Sequence, residues 1–167
     1  IPLGYYEGDQ DEEGVMGGIG HLLNNVKLQV KEGMKVDFLW HFELEMKESN
    51  QIGTTEADHV CHDVVYEEVV SEEVTTMSIP QADYNDCVQD IVKYFKDTLS
   101  YRHKGPVIFT YSATSETLML VMGNPKMMEI KVPLKYSEEG SLDLSAFPED
   151  SHEAKQEMRV IDDEAED

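Results

Sequence analysis

His59, Cys61, His62 and Asp63 are the densest group of metal-ligating side chains in the sequence. A structural zinc site takes four ligands, usually as two spaced pairs. Here the second pair is missing unless Cys87 and a distant His41 or His103 close the site in space. His59, Cys61 and His62 are therefore the metal candidates, but the incomplete spacing favours polar loop residues around one buried cysteine, with no metal and no cofactor. Nucleophilic chemistry has less support. There is no Gly-x-Ser-x-Gly elbow, and Cys87 lies beside Asp86 and Asp90, neighbours that disfavour a thiolate. Gly17-Gly18-Ile19-Gly20 lacks the lysine and the preceding strand of a phosphate-cradling loop. Carboxylates are so numerous that any pair of them reads first as a solvated face. The expectation is a protein that is not an enzyme.

The acidic excess, a formal charge of -22 over 167 residues, argues against a surface that wraps nucleic acid or anionic membrane throughout. Lys93, Lys96, Arg102, His103 and Lys104 form the one local concentration of positive charge. They read either as a phosphate-facing strip or as cations complementing a helix C-terminus. No stretch approaches the roughly 18 apolar residues of a membrane-spanning helix. Two cysteines are too few for a disulfide framework. Cys61 and Cys87 would be bridged in a secreted protein and free in a nuclear or cytosolic one, and free thiols are the favoured expectation.

The elements that must position these residues are mostly strands. Val26, Leu28 and Val30 alternate with polar residues, and Glu32-Gly33 suits a hairpin turn. Val36, Phe38, Trp40, Phe42, Leu44 and Met46 share one side of a long strand, with Leu39 the single apolar residue on its wet side. Residues 47–58 are polar and read as a loop. Val74 to Ile79 reads as a strand leading into a helix over about 80–99, with Ser78 as N-cap, Gln81 completing a capping box and Pro80 in the first turn. Tyr84, Val88, Ile91, Phe95 and Leu99 give that helix its apolar stripe. Strands follow at Val107–Tyr111, Thr117–Met122 and Glu129–Tyr136. The predicted class is α+β, a largely antiparallel sheet with one long amphipathic helix and acidic disordered ends. By domain, residues 1–20 are a flexible acidic, Gly-rich lead-in, 21–146 a single α+β domain, and 147–167 an acidic disordered tail. Within that tail, Val160-Ile161 with its acidic flank has the form of a short motif that adds to a partner's sheet edge.

The block from Val74 to Tyr136 resembles the closing half-domain of eukaryotic sliding clamps, more the DNA-damage checkpoint clamp subunits than proliferating cell nuclear antigen. The matching features are the strand Val74–Ile79, the helix Pro80–Leu99, the run Gly105-Pro106-Val107-Ile108-Phe109-Thr110 and the strand Thr117–Met122. That resemblance implies a nuclear, non-catalytic subunit of a hetero-oligomeric ring that encircles DNA in the damage response and recruits repair proteins. It also implies that Lys93, Lys96, Arg102 and Lys104 face the DNA, although Asp83, Asp86 and Asp90 lie on the same helix. The rival class is a secreted or viral acidic binding protein that captures a basic protein ligand through a sheet edge or an acidic face.

Overall fold

A computed structural model describes residues 2–15, 19–72, 74–79, 86–99, 107–124 and 128–160. Ten strands form one antiparallel sheet: β1 (Gly4–Val15), β2 (Gly20–Lys31), β3 (Lys35–Glu48), β4 (Gln51–Val65), β5 (Glu67–Ser71), β6 (Val74–Ile79), β7 (Val107–Ser112), β8 (Thr117–Asn124), β9 (Met128–Ser137) and β10 (Ser151–Val160). Helix α1 (Asp86–Leu99) is inserted between β6 and β7, which pair with each other like the arms of a hairpin. The spatial order is β10-β4-β3-β2-β1-β9-β8-β7-β6-β5.

This architecture overturns the α+β expectation. The described residues are mostly strand, and the one helix among them is short, 14 residues beginning at Asp86. Ser78, expected as the helix cap, belongs to β6 and stands in register with Ile108; Gln81 lies outside the described residues. Within the expected disordered ends, the described residues are largely strand, while residues 16–18 and 161–167 lie outside the described residues. Residues Gly4–Val15 pair with β2 almost throughout, and Ser151–Val160 pair with β4 over ten positions. Composition misled here because alternation separates the charges. Along β1 Glu7, Asp9, Asp11 and Glu13 project to one side while Tyr6, Gln10 and Glu12 project to the other, and Lys27, Asn25 and His21 of β2 stand opposite three of those four acids. The polar stretch 47–58 is likewise no loop, because β3 and β4 form a tight hairpin through Ser49 and Asn50.

β2 and β3 bury Leu22, Val26, Leu28, Val30 and Val36, Phe38, Trp40, Phe42, Leu44 on one side of the pleat. Asn24 is the polar member of that face, fully buried. It accepts from Trp40 Nε1 at 2.8 Å and donates to Gln10 at 2.7 Å, so both ends of its buried amide are bonded. The opposing layer is built by β6–β9 with Met77, Ile79, Phe109, Leu118, Leu120, Met122, Ile130, Val132 and Leu134. Val26, Phe38 and Trp40 meet Phe109, Leu120, Met122 and the helix residues Val88 and Ile91 around a residual space of only about 10 Å³, the close packing expected of a protein interior. Two halves of one sheet therefore face each other, with α1 filling the side that the second half leaves open.

The bend between the halves has a local cause. β1 pairs with β9 only from Tyr5 to Glu7. At the next position Gly8 comes so close to the Pro133 carbonyl that a Cβ would overlap its oxygen, and Pro133 has no N–H to continue a ladder. At the other side, β4 passes directly into β5 through Tyr66, whose N–H donates to Met34 O at 3.1 Å. A disulfide joins Cys61 of β4 to Cys87 in the first turn of α1, with Cα atoms 5.8 Å apart, and ties the helix to the first half.

Gly8→Ala should lower unfolding free energy by about 3 kcal/mol, because the overlap falls on backbone that cannot give way. Gly14→Ala, at a positive φ with nothing nearby, should cost about 1 kcal/mol from conformation alone; urea titration of both variants separates the two effects. Cys61→Ser/Cys87→Ser opens a cross-link with a sequence separation of 26. Chain entropy sets that loss at about 3.5 kcal/mol, read as a fall in the urea midpoint relative to the oxidised chain.

Candidate interaction face

The solvent side of β1, β2, β3, β4 and β10 is a regular grid set by the ladder registers. One row reads Asp9, Asn25, His41, Asp58, Glu153. The next reads Asp11, Leu23, Glu43, Glu56, Lys155, and the third Glu13, His21, Glu45, Thr54, Glu157. Carboxylates occupy nine of these fifteen positions, against one lysine and two histidines. Acids on neighbouring strands are partly bridged by the polar residues between them: Asn25 donates to Asp9 at 2.6 Å and His21 bonds Asp11. The Asp11 hydrogen bond is the main reason the His21 pKa lies above its ordinary value.

Beyond the Asp9 row the face is partly covered. Residues 138–150 run from the end of β9 back across the sheet. Gly140 lies against Tyr5, Leu142 N–H donates to the Gln29 side chain, and Phe147 O is bonded by His62 Nε2 at 2.7 Å. This strap delivers β10 to the free edge of β4. It also accounts for apolar residues on a wet face: Val60 is fully buried there and its partner Leu39 half-buried.

At the centre of the grid, His41 Nδ1 meets Asp58 at 2.7 Å and Nε2 meets Glu43 at 2.8 Å. Partial burial pulls the His41 pKa down, but the Glu43 and Asp58 hydrogen bonds and charges outweigh it and raise it above the usual value. His41, Glu43 and Glu56 also offer one ligand atom each within 4.8 Å of one another.

The residues singled out from the sequence are not brought together as a site. Cys61 and Cys87 are bridged rather than free. His62 is engaged by the strap. His59 points the other way, into the space between sheet and helix, where it is 1% exposed. Its ring stacks on His152 of β10 with centroids 4.3 Å apart and meets Tyr94 of α1 edge-on, and the two histidine Nδ1 atoms are 2.6 Å apart. One ring must donate there and the other accept. Burial, reinforced by His152, pushes the His59 pKa down to about 3. Lys93 and Lys96 lie on the exposed side of α1 among Asp90 and Asp97, while Arg102 and Lys104 lie outside the described residues. The His41 grid was missed because the relevant sequence signal is a pairing, not a spacing: His-x-Glu on one strand faces Glu-x-Asp on the next only once the hairpin register is known.

No protein-family model matches this chain, and no curated protein or solved structure matches it. No helix among the described residues is long and apolar enough to cross a membrane.

The buried His59 gives a signed pH dependence. Its folded pKa is depressed, so the unfolded chain binds the extra proton first, and stability present above about pH 6.5 is lost as pH falls toward 3. At pH 5 this amounts to about 2 kcal/mol. His59→Phe should make the fall in stability between pH 7 and pH 5 smaller by that amount, measured by urea unfolding at both pH values.

Proposed function

We propose that this chain is a non-catalytic binding module that takes a basic protein segment on the acidic outer face of β1–β4 and β10. The observation that carries this reading is the three-row grid, where carboxylates stand on adjacent strands with a single lysine among them. Like charges directly opposed across a sheet are unfavourable, and a cationic partner relieves that repulsion while being steered toward the face at long range. The Cys61–Cys87 bridge supports an oxidising, secreted setting for the module. A DNA-encircling ring subunit would instead draw on Lys93 and Lys96, and their Asp90 and Asp97 neighbours give that reading no comparable surface.

The test is fluorescence anisotropy of a labelled lysine- and arginine-rich peptide against the oxidised chain. Binding should weaken at least about tenfold between low and high salt, as expected once the Debye length contracts. Asp11→Asn/Glu43→Gln/Glu45→Gln should weaken it similarly, and Asp90→Asn/Asp97→Asn, which removes charge from the helix, should leave it unchanged. Equal losses in both variants would mean that binding follows net charge, not this face, and would overturn the proposal.

A further inference from the structure

We propose that His41 Nε2 and one carboxylate oxygen each from Glu43 and Glu56 form a binding site for a divalent transition-metal ion of the zinc class. The inference stands independently of the basic-partner reading, since it concerns an ion alone.

The donor set is one imidazole and two carboxylates, with an open position for water. In a tetrahedral zinc site the ligand atoms lie about 3.3 Å apart, as metal bonds of about 2.0–2.2 Å require. The three atoms here lie within 4.8 Å of one another, so closure asks only for rotation of half-exposed side chains whose Cα positions the β3–β4 ladder fixes. Asp58 holds Nδ1 at 2.7 Å. That carboxylate–histidine arrangement sets the tautomer in which Nε2 is the ligand, and it raises the ligand's basicity.

The ladder also concentrates negative charge at this position. Glu43 and Glu56 are directly opposed in the ladder, a like-charge pairing that a sheet ordinarily avoids. Lys155 of β10 is in register with Glu56, yet among the described residues no ion pair joins them. His41 stands between two carboxylates, with Asp58 on Nδ1 and Glu43 on Nε2. A divalent ion bound at Nε2 would place two positive charges between Glu43 and Glu56. Magnesium and calcium fit poorly, because they take six or more oxygen ligands and gain little from an imidazole.

The test is isothermal titration of the oxidised, tag-free chain with zinc chloride at pH 7.5 and pH 6, with magnesium chloride as comparison. The expected result is saturable uptake of one equivalent of zinc at pH 7.5, weaker uptake at pH 6 as His41 holds its proton, and no response to magnesium. His41→Ala and Glu56→Gln should each weaken zinc binding at least about tenfold, and Asp58→Asn about tenfold through loss of the orienting bond. Glu68→Gln on β5 should not change it. Circular dichroism confirms that each variant is folded, and the surface positions of Glu56 and Asp58 keep the test open if His41→Ala is not. Absence of saturable uptake, or wild-type affinity in folded Glu56→Gln, would overturn the site.

Discussion

A ten-stranded sheet has far more apolar face than the 14-residue α1 can cover, so the sheet must bury that face against itself. Every other feature follows from this constraint. Val26, Phe38 and Trp40 of the first half lie against Phe109, Leu120 and Met122 of the second, and α1 closes the remaining side through Val88 and Ile91. The bend is concentrated where β1 meets β9, at a glycine that permits close approach and a proline that cannot extend the ladder. The return is made at Tyr66, where one strand ends its service to the first half and the next begins at the far edge of the second.

Folding the sheet on itself assigns the two sides of β1–β4 opposite chemistry. The inner side is largely apolar, and its buried amide at Asn24 is bonded at both ends. The outer side of the same strands is left to water, and this chain fills it with carboxylates. The strap of residues 138–150 then divides that side into a covered end, where Val60 is buried, and an open acidic end. His59 and His41 show how one strand pair serves both environments. His59 faces inward and is held neutral by burial, whereas His41, almost beside it across the ladder, faces outward between carboxylates that favour its charge.

Much of the sheet was legible in the sequence, because period-two alternation is a local signal. The run from Val36 to Met46 and the spacing of Ile130, Val132 and Leu134 mark their strands directly. What was not legible depended on pairing between distant segments. The acidic residues of β1 and β10 suggest disorder when read as a string, and become strands only because β2 and β4 supply complete ladders beside them. The helix was overextended because Ser78 and Pro80 offer a plausible local start, while the pairing of β6 with β7 claims Ser78 for the sheet. The acidic face and the His41 cluster were hidden for the same reason: their neighbours are fixed by register, and composition reports only that acids are abundant.

The pairing of β10 with β4 links Ser151 to Val60 and Val160 to Gln51, so it closes one of the longest loops in the molecule. During synthesis at roughly 5–20 residues per second, β4 leaves the ribosome several seconds before its outer partner exists. Non-local pairings of this kind are entropically late. The growing chain therefore passes through a stage in which the β4 edge is bare, and the order of translation makes β10 the last of these ten strands to find its place.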